Sequence, residues 1–158
     1  MIQRILQVLY AFLGAYGFAL IFNQKPVTRA LPAALGGALS WSAYLLAEHF
    51  GLSVFLSALV AAFCACVYAE LLARSLKAPA TVFSAAAVIP LIPGGSLFYT
   101  AQSAINGDRA GFVSYGLSTL EMALGIAVGF AAVTAIFFIY AKTALGFKNK
   151  TKTGGRKK

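Results

Sequence analysis

The sequence predicts an all-α integral membrane protein with five transmembrane helices, the fourth broken at Pro90 to Gly95. Composition is the first ground: of 158 residues 60% are hydrophobic and only 11% charged, so the bilayer rather than a soluble core receives the apolar surface. The second is a set of five apolar runs, each of about 20 residues or more, the length that spans roughly 30 Å of hydrocarbon. They cover approximately 3–22, 30–49, 53–73, 80–105 and 112–141. The third is Pro90-Leu-Ile-Pro93-Gly94-Gly95, which puts two prolines and two adjacent glycines in the middle of the fourth run.

The punctuation between the runs is legible in order. The first connection contains Pro26 and a candidate cap at Thr28, with Pro32 tolerated in the first turn of the second helix. Gly51 suits the close of that helix and Ser53 suits the cap of the third. Lys77-Ala-Pro79 separates the third run from the fourth, and Asn106-Gly-Asp108 turns the chain into the fifth. Residues 1–145 are thus expected to form a five-helix membrane domain, and 146–158 a basic, disordered cytoplasmic tail. No segment reads as a soluble domain.

Charge orients the helices. With the C-terminus in the cytoplasm, an odd number of spans puts Lys25, Arg29, Arg74, Lys77 and the seven tail cations from Lys142 onward inside, leaving only Arg4 and Arg109 outside. That split is a positive-inside signal for N-out, C-in. A re-entrant hairpin over 80–105 would put the third loop and the tail on opposite sides, so a full crossing is expected. The net charge of +9 therefore reports orientation and attraction to anionic headgroups, and nucleic acid is not an expected partner.

In hydrocarbon an unpaired backbone N–H or C=O is expensive, so a helix break is tolerated where it is buried in protein or lines a cavity. In this orientation the first half, Ala80 to Ile89, rises for about 15 Å, which sets the break near mid-membrane. The second half is expected to start at about Ser96, with the amides of Gly95, Ser96 and Leu97 unpaired at the positive end of a helix dipole. Such an end suits a carboxylate, as in transporters built on discontinuous helices. Ser96, Thr100 and Ser103 form one polar stripe, with Tyr99 and Gln102 beside it. The alternative is a proline kink packed on its neighbours, its hydroxyls satisfied by backbone carbonyls.

Glu121 lies roughly 13 Å along the fifth helix from Phe112, near the depth of the break. A carboxyl there is a candidate proton relay or cation site; the alternative is a protonated group bonded to a helix neighbour. A solute with an ammonium and a carboxylate could face Glu121 with one and the amide end with the other. Glu70 and Arg74, spaced four apart, read as a helical ion pair or, with Lys77, as an inner gate. His49 is the single histidine, which leaves no basis for a metal site or for catalysis built on histidine. Cys64 and Cys66 point about 200° apart on a helix and read as small residues in a packing stripe with Ala58, Ala62 and Ala69. Gly125 and Gly129 form a GxxxG contact face, while Trp41, Tyr44 and Tyr140 read as lipid or interface residues.

Several of these pieces, in this order, resemble the small-subunit, YjjB-like type of the threonine/serine exporter family. They are Gly17-Phe-Ala-Leu-Ile-Phe-Asn23 followed by a proline and Arg29; Gly37, and Trp41 with Tyr44; Glu70-Leu-Leu-Ala-Arg74 with Lys77-Ala-Pro-Ala-Thr-Val-Phe83; and Ile89-Pro-Leu-Ile-Pro-Gly-Gly95 with Tyr99-Thr100. The resemblance implies a prokaryotic plasma (inner) membrane protein paired with a larger, YjjP-like five-helix subunit. It also implies proton-driven export of threonine and serine, or of succinate in the paired type. Some relatives carry an acidic residue where this chain has Ser118, one turn before Glu121.

The expected function is accordingly one half of a secondary exporter for small carboxylate solutes, threonine and serine or a dicarboxylate. A larger homologous subunit or a homo-oligomer would complete it. The expected solute-contacting residues are Pro90, Pro93, Gly94, Gly95, Ser96, Tyr99, Thr100 and Glu121, with Glu70, Arg74 and Lys77 as gate or ion pair. No cofactor is implied. The alternative is a membrane scaffold or regulatory subunit that does not itself transport; an enzyme is not expected, since nucleophiles, bases and ligands are scattered.

Overall fold

The computed structural model describes residues 2–22 and 27–154. Among them the elements are helices α1 (Ile2–Ile21), α2 (Val27–His49), α3 (Val54–Leu76), α4 (Ala80–Val88), α5 (Gly94–Ile105) and α6 (Arg109–Gly154), with a 3₁₀ turn over Ile89–Leu91 between α4 and α5. No strand occurs among the described residues. Four helices are long and apolar enough to cross a membrane: α1, α2 from Arg29, α3, and α6 as far as Tyr140. The α4–α5 pair passes the same test together, bent by 49° at the break, and would make a fifth span.

The helix ends follow from local chemistry. Gly51, at φ +79°, takes the left-handed position after α2. Its N–H then donates to Glu48 O and that of Leu52 to Ala47 O, a Schellman close. Ser53 caps α3, its hydroxyl accepting from Leu56 N–H. At the other end Lys77 adopts φ 49° and ψ 48°, and Ala78 N–H reaches back to Ala73 O. Gly107 at φ +70° repeats the Schellman pattern after α5, with Gly107 N–H on Ala104 O and Asp108 N–H on Ser103 O. Asp108 then caps α6, its carboxylate accepting from Gly111 N–H at 3.1 Å.

One boundary differs from the sequence reading. α2 starts at Val27, so Thr28 lies inside the helix rather than at its cap, and Pro32 sits in the second turn. At the C-terminal end α6 runs to Gly154, and residues 155–158 of the expected tail lie outside the described residues.

In the bundle α3 packs against α2 on one side and α6 on the other, α1 packs on α2, and α4 lies against both α2 and α3. α5 packs on α6. The interior is built largely of alanine: Ala19, Ala30, Ala33, Ala69, Ala73 and Ala86 surround Phe83 where α1 to α4 meet. Lipid tails are as apolar as leucine, so helices in hydrocarbon associate by close backbone approach rather than by hiding large side chains. The large apolar residues accordingly point outward, Leu13, Leu20, Leu124 and Phe138 among them. The α3 stripe of Ala58, Ala62, Cys66 and Ala69 is buried as expected, with Cys64 half-buried and both thiols free. Gly125 and Gly129 mark the closest approach: a Cβ at either would run into the backbone of α3, at Phe55 O and Leu59 O respectively.

Candidate solute site at the broken helix

Proline chemistry makes the break. Pro90 and Pro93 have no N–H to continue the ladder, and the residue before a proline is pushed out of the helical region. Ile92, before Pro93, is extended at φ −60°, ψ 124°. Two bonds repair the backbone around it. Ile92 N–H donates to Ile89 O at 3.2 Å, and Ser40, fully buried on α2, donates its hydroxyl to Ala87 O at 2.7 Å, with Gly37 O as a second acceptor at 2.9 Å.

α2 forms the socket for this bend. A Cβ on Gly36 would lie 2.9 Å from Ala87 Cβ, and one on Gly37 would collide with Ala15 of α1 and come within 3.3 Å of Pro90 Cγ. Small residues here let α1, α2 and the broken helix meet at backbone distance.

α5 begins at Gly94, two residues before the expected start. The Leu97 N–H, expected to be free, donates to Pro93 O at 3.0 Å, because the proline carbonyl stands at the capping position. Gly94 N–H folds back to Ile92 O at 2.7 Å. The amides of Gly95 and Ser96 have no acceptor among the described residues. Gly94 and Gly95 are exposed, neither has a positive φ, and a Cβ on either meets nothing within 4 Å. Turn geometry and internal packing therefore give neither glycine its reason.

The polar stripe of α5 faces α6. Thr100 donates to Ser96 O at 2.7 Å and packs its methyl 3.7 Å from a Cβ placed on Gly116. Ser103 is buried against Gly111. The Thr100 hydroxyl is thus satisfied by a carbonyl of its own helix, as the packed-kink alternative holds. Tyr99 remains half-exposed, its ring 5.3 Å from that of Tyr115, and Gln102 is exposed.

The antiparallel register of α5 on α6 sets the level of Glu121. Thr100 stands opposite Gly116, and Leu97 shares a groove with Leu120. One residue further along α6, Glu121 falls at the level of the start of α5. Glu121 is exposed, one turn from the buried Gly125, and carries no hydrogen bond or ion pair among the described residues. The carboxyl and the Gly95–Ser96 amides therefore share a level without being enclosed in one cavity.

Glu70 and Arg74 do form an ion pair, at 3.9 Å, with Arg74 about half exposed. Its guanidinium also lies 4.5 Å from the centre of the Phe137 ring and 5.9 Å from that of Tyr140, tying the end of α3 to the side of α6. Lys77 is apart from this cluster, in the left-handed cap of α3.

Two interior features escaped the sequence reading in different ways. Ser40 has a visible signal, a hydroxyl three residues from Gly37 in an apolar helix, that becomes legible only once α4 is known to lie alongside. Trp41 and Tyr44, read as lipid or interface residues, instead stack at 5.2 Å and pack on the buried cluster of Ala61, Ala62 and Leu91. Hydropathy alone does not distinguish an aromatic facing lipid from one facing another helix.

Compared with known families, the chain matches the family model described as Threonine/Serine exporter, ThrE, over residues 7–136. The match spans every element from α1 to the apolar part of α6 and includes the whole break. No solved structure matches the chain.

Proposed function

Given that this chain belongs to the threonine/serine exporter family, we propose that it is one half of a secondary exporter that meets its solute at the broken helix. The observation that carries this reading is the open start of α5, where two backbone amides lack acceptors and two glycines face empty space. A helix N-terminus with free N–H groups attracts a carboxylate. Glu121 at the same level suits the ammonium of the same amino acid, or a proton that drives its export. The solute is threonine or serine, with a dicarboxylate such as succinate as the competing substrate.

The topology is N-out, C-in in the prokaryotic inner membrane, with α4 and α5 as one bent span. A bend of 49° turns the chain without reversing it, which favours a crossing over a hairpin. The outward exposure of Glu121 and of the α5 start supports a site completed by a second five-helix unit, either a larger homologous subunit or another copy. Two observations favour the scaffold alternative: Thr100 spends its hydroxyl on its own helix, and the α5 stripe is a packing face.

Efflux of labelled threonine, serine and succinate, from cells expressing the chain alone and with the larger subunit, separates these readings. Export is expected with the partner and is expected to follow an imposed proton gradient in proteoliposomes. Absence of export under every condition would support the scaffold.

A further inference from the structure

The indole of Trp41 presents a buried donor with no acceptor. Its Nε1 is shielded from solvent and lacks a hydrogen-bond partner, the one such side-chain atom among the described residues. Trp41 packs, as do Ala43, Tyr44 and Ile126, against the buried cluster of Ala61, Ala62 and Leu91. Buried N–H groups are otherwise almost always paired, because an unpaired one loses its hydration without recompense. The nearest buried hydroxyl along α2, Ser40, is already committed to Ala87 O and Gly37 O.

Position gives this donor its meaning. Leu91 ends the 3₁₀ turn of the break and is fully buried against the cluster on which the indole packs. The break and Trp41 therefore meet at one buried cluster. Resting on the exporter reading above, we propose that the Trp41 indole N–H is a second solute-binding donor, engaging the carboxylate of the exported amino acid at a separate step from the α5 amides, once the break moves. In this closed arrangement the donor is held ready and unpaired; with solute bound it is satisfied. Tyr44, stacked at 5.2 Å and 14° to the indole plane, keeps the ring oriented.

Trp41 is the single tryptophan of the chain, so its emission reports this position alone. Threonine titrated into the reconstituted full-length protein should shift that emission saturably; where export needs the partner subunit, it is included with its own tryptophans replaced. Trp41→Phe keeps a stacked ring and removes the donor. It should raise the KM for threonine export roughly tenfold, the ratio expected for one hydrogen bond to a charged group, while kcat stays within about twofold. The preference for threonine over threoninol, which lacks the carboxylate, should fall by a similar factor; a merely structural role would shift both solutes together. Export by the wild type combined with an unchanged KM and preference in Trp41→Phe would overturn the donor and leave the exporter reading intact. If Trp41→Phe does not fold, the emission titration decides, and a flat titration of an exporting wild type overturns the proposal. A wild type that exports nothing overturns both.

Discussion

The Ser40 hydroxyl joins α2 to the last turn of α4, where the ladder is about to be interrupted by Pro90. Removing it leaves the Ala87 carbonyl without that partner in a buried place. Ser40→Ala should lower stability by about 1–2 kcal/mol, read as an earlier thermal unfolding transition in detergent. Lys77 makes the opposite case. It holds a left-handed conformation at φ 49° that costs a non-glycine residue roughly 1 kcal/mol, so Lys77→Gly should raise the same transition if the lysine serves only as a cap. Glu121 is exposed and unpaired among the described residues, so Glu121→Gln should fold normally. Export should nonetheless fall at least roughly tenfold in that variant if the carboxyl carries a proton or meets the ammonium, and unchanged export would remove Glu121 from the site.

Between helices, the α3–α6 contact depends on backbone approach at Gly125 and Gly129. Gly125→Leu would drive a side chain into Phe55 O and Ala58, forcing the helices apart. Faster proteolysis of the purified variant and loss of its cooperative melt are the expected results. Most of this architecture was legible in the sequence, because apolar length and positional Gly, Pro and Ser chemistry are local signals. The ends at Gly51, Ser53 and Asp108 follow from them, as does the GxxxG face. What was not legible depends on neighbours. The free amides shifted because Pro93 lends its carbonyl to Leu97 N–H, and the Thr100 hydroxyl proved to be satisfied within α5. Trp41 turned inward for the same kind of reason, since only the packing of α2 against α3 and the break decides which side of the helix is lipid.

Across the whole molecule, the bundle leaves one broken helix half outside its compact part. α1 to α4 share an alanine-rich interior, while α5 leans on α6 with most of its surface exposed. Pro90 and Pro93 interrupt the helix between these two parts, and the proposed alternating route would bend there. Glycine at 94 and 95 is the feature that the fold does not explain, since a methyl at either position meets no atom within 4 Å. The doubly substituted Gly94→Ala, Gly95→Ala chain should therefore fold and insert like the parent. The decisive measurement is threonine efflux from this variant, taken beside the parent at matched membrane abundance. A solute site at the start of α5 predicts export reduced at least roughly tenfold with an unchanged melting transition, because added methyls stand between the solute and the free amides; export equal to the parent would rule that site out.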